Sequence, residues 1–179
     1  ANASKSKSIA QTAALAFNPN RKGVQTVVMN IKDRGAITLE LYPAEAPKTV
    51  EQFLGLVKSG YYTGILFHRI VPNFVVQAGD PLTKNIKTSD LVGKSDKDIA
   101  DLGLGKNGSG KTVEFESNKL PHQEGTLSLA LSAPKSDTGD SQFFIDLGDS
   151  DNNKALTGDY CVFGKVIQGM DVVKKISLG

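Results

Sequence analysis

Residues 61–80 read YYTGILFHRIVPNFVVQAGD. Ile70, Val71, Phe74, Val75 and Val76 are the β-branched and aromatic types that suit a strand, and Pro72-Asn73 interrupts them. Residues 67–77 therefore predict strand material broken at a proline turn. Upstream lies the best helix signal in the chain. Pro47 suits a first helical position, Val50, Phe53, Leu54 and Val57 form one stripe, and Gly60 supplies a stop. Before it, residues 26–32 and 36–42 flank Asp33-Arg34-Gly35, and Ile37, Leu39 and Leu41 alternate with polar residues. That pattern predicts a β-hairpin with one buried face. Downstream, residues 81–112 are polar, Gly-rich and charged, which predicts a long excursion. Residues 113–116 alternate as a strand. Residues 125–131, 142–147 and 161–167 read as three more strands, and Met170–Ile176 as a closing helix. Short strands, two helices and no β–α alternation predict a mainly β chain, a closed antiparallel barrel rather than a parallel sheet.

The 179 residues bound this to about one domain. Lys plus Arg is 21 and Asp plus Glu is 19, so a net charge of +2 gives no electrostatic reason to expect nucleic acid. The apolar runs are too short to insert in a membrane. Cys161 is the single cysteine, and His68 and His122 are the two histidines. No intramolecular disulfide or multi-cysteine metal site can form, and neither a metal nor a cofactor is expected.

Two motifs mislead. Residues 105–112 (GKNGSGKT) satisfy the phosphate-loop pattern. That chemistry needs a buried strand before the loop and a helix N-terminus after it. The residues before it are polar and Gly-broken, and strand-like alternation follows, so the reading is a solvated loop. Gly139-Asp140-Ser141 is reminiscent of a serine nucleophile, but neither histidine has the setting of a general base.

Phe67, His68, Arg69, Pro72, Phe74, Gln77, Gly79 and Asp80 match the signature of the cyclophilins, peptidyl-prolyl cis/trans isomerases, and the segment closely resembles it. The resemblance continues through residues 125–130, 141–145, 162–166 and 169–173, in family order, and so covers roughly residues 26–176. It implies an eight-stranded antiparallel barrel capped by two helices. Tyr160 stands where bacterial members often have tyrosine, which places the chain closer to them than to eukaryotic ones. The implied activity is acceleration of X–Pro rotation in folding or flexible polypeptides. The alternative is a proline-peptide binding module or chaperone with little turnover.

An X–Pro amide rotates slowly because rotation breaks resonance, at a barrier of about 18–20 kcal/mol. Catalysis needs a donor for the twisted amide, an apolar pocket for the ring and groups that hold the flanking peptide. The resemblance implies Arg69, Phe74 and Gln77 as the catalytic set, with Arg69 the donor. It implies Val75, Phe144, Leu156 and Phe163 as further pocket walls. Gln142 and the Ala130–Leu131 backbone would hold the peptide, and Tyr160 would line the site. His68 reads as structural. Val75 replaces a commoner methionine and Leu131 a common asparagine. No tryptophan exists. Ala155 falls near the drug-contacting tryptophan of eukaryotic members, so weak cyclosporin binding at most is expected.

Residues 1–22 read as an N-terminal extension and 23–179 as the domain, with 81–112 its long loop. Residues 9–17 suit either a short docked helix or a linker. The chain ends at Gly179, directly after the last helix. The strand that follows in the family, and pairs with the first strand, is expected to be missing, with residues 1–22 covering the gap. A monomer is expected. The non-Met start and the Lys/Ser tail point to export, into a periplasm or lumen, with the cytoplasm as the alternative.

Overall fold

The structure, a computed structural model, describes residues 17–176. Strand β1 (Gln25–Ile31) and β2 (Gly35–Leu41) form the expected hairpin. Its turn carries Asp33 at φ 61° and Gly35 at φ 120°. Helix α1 (Pro47–Lys58) follows, with Pro at its first turn. Strands β3 (Phe67–Val71) and β4 (Val75–Ala78) are the two halves of the proline-broken stretch. Asn73 takes φ 62° in the turn between them, a conformation asparagine tolerates.

The excursion after β4 is ordered rather than featureless. It holds two short 3-10 turns and a helix, α2 (Asp96–Asp101). Strands β5 (Thr126–Leu129) and β6 (Phe143–Asp146), short helix α3 (Asp151–Lys154), strand β7 (Val162–Gln168) and helix α4 (Met170–Ile176) complete the described chain.

All strand pairs are antiparallel, and the sheet order is β1-β2-β7-β5-β6-β4-β3. Among the described residues the sheet has seven strands, with β1 and β3 at its edges. The fold is thus mainly β with helices, and an eighth, barrel-closing strand is not among these residues. Residues 113–116 pair only at one bridge, Val113 to Gly139, rather than as the expected strand. Their polar groups go elsewhere. Phe115 donates its N–H to Asp137, and the Glu116 carboxylate accepts the Lys48 and Thr49 N–H groups at the start of α1. Glu116 thereby caps a helix whose own N-cap residue, Ala46, offers no side-chain acceptor.

Ile37, Leu39 and Leu41 of β2 point inward with Val76, Leu127, Ile145 and Phe163, all fully buried. Helix α1 contributes Val50 and Phe53, and α4 contributes Val172, Val173 and Ile176. Phe53 packs edge-on to Phe143 at 5.6 Å and tilted against Phe163 at 5.2 Å. Burying each such side chain stabilises the fold by about 1.5–3 kcal/mol.

Most of the N-terminal extension, including residues 9–16, lies outside the described residues. Phe17 packs on Tyr42 at 5.9 Å beneath the Lys165 ammonium, and Arg21 makes a two-pronged ion pair with Glu40. Among the described residues no helix is long and apolar enough to cross a membrane.

Candidate active site

Antiparallel register sets three of the expected residues in one row. Arg69 of β3 lies opposite Gln77 of β4, Gln77 opposite Phe144 of β6, and Phe144 opposite Ser128 of β5. Directly opposed residues share a face of a sheet. The neighbouring row, Ile70, Val76, Ile145 and Leu127, belongs to the core, so period two turns Arg69, Gln77 and Phe144 outward.

One irregularity makes this possible. Phe67 is also a core residue, packed edge-on to Phe143, yet it stands two positions before Arg69. In a regular strand the two would share a face. The ladder instead shifts between Phe67 and Arg69, leaving His68 as the extra residue of a bulge. The bulge re-aims Arg69 outward while Phe67 stays in. His68 is 4% exposed, and burial lowers its pKa against the opposing pull of the Asp80 carboxylate. It is not among the residues that line the cleft described next.

Arg69, Gln77 and Phe144 line a cleft of about 270 Å³. Phe74 and Val75 line it from the β3–β4 turn, Ala130 and Leu131 from the chain leaving β5, and Leu156 and Tyr160 from the segment after α3. Nine of the eleven expected residues thus come together. Gln142 stands behind the lining. The Gln77 amide donates to Gln142 Oε1 at 2.9 Å, and Gln142 Nε2 donates to the Asn107 carbonyl at 2.9 Å. Phe163 is a correction to the expected set. Its neighbour Val162 pairs with Ser128 in the outward row, so Phe163 points to the other face, fully buried against Phe53. It is core, not cleft.

Several residues that support the cleft carry no sequence signal. His122 is fully buried and stacks on Phe144 at 5.8 Å and 18°, while Tyr160 meets the same ring edge-on at 5.8 Å. Burial pushes the His122 pKa down to about 4, so the ring under Phe144 is neutral near pH 7. Asn153 of α3 donates to the Phe74 carbonyl at 2.9 Å and to Asp146 Oδ1 at 2.8 Å. Leu147 N–H reaches the same Phe74 carbonyl at 2.8 Å, so the turn bearing Phe74 is pinned from two elements. Asp146 is itself fully buried, and burial pushes its carboxyl up to about 7.

Gly79 closes the approach of β4 to the chain entering β6. Its φ is 105°, and a Cβ there would overlap the Ser141 carbonyl oxygen and sit 2.7 Å from Gln142 Cα. Ser141, flagged by the protease-like tripeptide, is fully buried and donates to the Gly79 carbonyl at 2.7 Å. It is a strut.

The phosphate-loop look-alike opens no helix, and it is tied down. Asp80 Oδ2 accepts Gly105 N–H at 2.7 Å, and Asp140 accepts from Ser109 and Gly110.

Comparison with known proteins agrees with this arrangement. The family model described as cyclophilin type peptidyl-prolyl cis-trans isomerase/CLD matches residues 26–179. A Brucella suis protein named "Probable peptidyl-prolyl cis-trans isomerase" is 39% identical over 170 residues, 94% of this chain and 77% of its own length. A Gibberella zeae protein named peptidyl-prolyl cis-trans isomerase-like 1 is 38% identical over 144 residues, covering 80% and 76%. Bacterial and fungal relatives thus match about equally, and the comparisons carry no lean to the bacterial side. A crystal structure of a Cryptosporidium parvum cyclophilin type peptidyl-prolyl cis-trans isomerase, in the presence of the dipeptide Ala-Pro, superposes with a TM-score of 0.66. It is 31% identical, covering 86% of this chain and 85% of that one. With a matching family model over the domain, the same fold and a cleft built from the signature residues, the chain belongs to the cyclophilin-type peptidyl-prolyl cis-trans isomerases.

Proposed function

We propose that the cleft binds X–Pro segments of polypeptides and that Arg69 drives their isomerisation. The observation that carries this reading is the outward row Arg69–Gln77–Phe144, which sets a cation, an amide and an aromatic ring side by side on one cleft wall. Phe74, Val75, Phe144 and Leu156 receive the proline ring. Gln77, oriented by Gln142, and the Ala130–Leu131 backbone hold the flanking peptide, with Tyr160 at the Phe144 edge.

Rotation about the X–Pro bond localises a lone pair on the proline nitrogen. A guanidinium N–H directed at it favours the twisted amide over either planar isomer. A hydrogen bond to a charged group contributes about 1.5–3 kcal/mol. The remaining acceleration comes from fixing one end of the peptide while the other turns in an apolar cleft. The Ala-Pro dipeptide of the Cryptosporidium structure fits this substrate class. Residues 23–179 act as the catalytic domain in this account, as a monomer.

We extend the proposal to the inhibitor. Ala155, at the end of α3, is exposed and directly precedes the cleft residue Leu156. Alanine offers neither the apolar face nor the N–H of an indole, so cyclosporin binds weakly.

A protease-coupled assay on a short X–Pro peptide tests the function. The slow cis phase is expected to accelerate in proportion to protein concentration. Binding of the peptide without acceleration would leave a recognition module in place of an enzyme.

A further inference from the structure

The excursion 81–112 holds Gln142 through the Asn107 carbonyl and also passes beside Arg69. Helix α2 packs against β3, and Asp96 Oδ2 lies 3.5 Å from Arg69 Nε. From the geometry we propose that Asp96 is a positioning residue for Arg69: its carboxylate holds the Nε side of the guanidinium and leaves the Nη groups to the substrate. The proposal rests on the reading of Arg69 as the donor.

The placement of Asp96 is built rather than incidental. Asp80, fully buried at the exit of β4, gathers the two ends of the excursion. It accepts Leu82 N–H at 2.9 Å on one side, and Gly105 N–H at 2.7 Å and Asn107 Nδ2 at 3.0 Å on the other. Between those ends, Ile99 and Leu104 are buried, so the excursion has an apolar anchor of its own. Ser95 caps α2 by accepting Asp98 N–H, and Asp98 returns a bond to Ser95 N–H at 3.0 Å. This reciprocal box fixes where the first turn begins, and Asp96 is its first residue. The same excursion touches the second polar group of the site, since the Asn107 carbonyl accepts from Gln142, which orients Gln77.

The chemistry suits the role. A guanidinium presents five N–H donors in a rigid plane, so one side can be held while the other works. A long arginine side chain at a cleft wall loses rotamer freedom when it engages substrate. A carboxylate that restrains it beforehand lowers that loss at the rotating amide. Arg69 and Asp96 side chains are 36% and 65% exposed, so the restraint is small and responds to salt.

The test compares kcat/KM for the wild type and Asp96→Asn on one X–Pro peptide, at low and at about 1 M salt. Asp96→Asn is expected to fall about two- to fivefold at low salt. The gap is expected to close at high salt, with the melting temperature unchanged. Asp96→Glu should restore activity. Asp101→Asn, which removes one charge from the same helix and a bond only to Lys97, should behave as wild type. Wild-type or higher activity in Asp96→Asn overturns the proposal, the latter by showing a carboxylate that competes with substrate. A loss that persists in high salt, or that comes with a lower melting temperature, also overturns it, in favour of a role in folding. Arg69→Ala is run alongside. If that variant keeps wild-type activity, it is the reading of the site that fails, independently of Asp96.

Discussion

Arg69 matters in this account for the shape of its charge as well as its sign. An ammonium has three donors, but they rotate about one nitrogen on a flexible stem and lack the flat, fixed spacing that lets one side be held while the other faces substrate. Arg69→Lys should therefore lose at least about tenfold in kcat/KM, with the melting temperature kept, in the protease-coupled assay. Near wild-type activity would mean that only the charge is used. Phe144 is fixed differently, by a neutral imidazole beneath it and a tyrosine edge beside it. Ala155 supplies the second test at this scale. Titration of the isomerase with cyclosporin should show weak inhibition, and Ala155→Trp should tighten it by restoring an indole next to Leu156. Low-nanomolar inhibition of the wild type would contradict the assignment of that position.

The elements that carry the site differ in how much of them the sequence discloses. The β3–β4 hairpin is plain from Ile70, Val71, Val75 and Val76 around Pro72-Asn73. The bulge at His68 is not, because nothing in the alternation of side chains marks an unpaired residue, and without it Arg69 would face the core. Helix α2 left a trace that goes unread in a charged stretch: Ser95 followed three residues later by Asp98. Residues 113–116 alternate as a strand does, but their polar groups are claimed by Asp137 and by the start of α1.

The link from β6 to α3 gives a prediction in pH. Thr126 Oγ1 lies within bonding distance of both the Gln123 carbonyl and Asp146 Oδ2, yet it has one proton. Once protonated, Asp146 donates to Thr126 and leaves Thr126 free to donate to Gln123; the ionised carboxylate instead accepts from Thr126. Burial pushes the Asp146 carboxyl from 3.8 up to about 7, so folding takes up a proton between those values and this group's contribution falls as pH rises through that window. His122 opposes it. Its pKa falls from 6.5 to about 4, so its contribution rises with pH between those values, and His68 shifts the same way. Asp146→Asn keeps a donor for Thr126 and an acceptor for Asn153 without a charge. It should be more stable than wild type at pH 8 by roughly 2–4 kcal/mol, nearly equal near pH 4, and should lose the Asp146 slope while keeping that of the histidines. Chemical denaturation across pH 4–8 checks this, and a variant less stable than wild type at pH 8 would contradict it.

Across the whole molecule, the cleft exists only because strands distant in sequence adjoin. The order β5-β6-β4-β3 brings residues 128, 144, 77 and 69 into one row. Arg69, Phe74, Val75, Gln77, Ala130 and Phe144 are legible as candidates because the signature blocks carry them, and period two sets Arg69, Gln77 and Phe144 in one row; Leu131, Leu156 and Tyr160 lie outside those blocks. Phe163 misled because a phenylalanine in such a block reads the same whether it faces cleft or core. The approach of the excursion to Arg69 was illegible, since it depends on Asp80 joining the ends of a stretch whose composition looks like a solvated loop. The central claim, that this assembled cleft turns X–Pro bonds through Arg69, is tested most directly by NMR magnetisation exchange on an X–Pro peptide with a small molar fraction of protein. The wild type should drive cis/trans exchange that is undetectable without it, and Arg69→Ala, with its melting temperature unchanged, should reduce kcat/KM by about 10- to 100-fold. Exchange in the variant equal to that of the wild type would contradict the account.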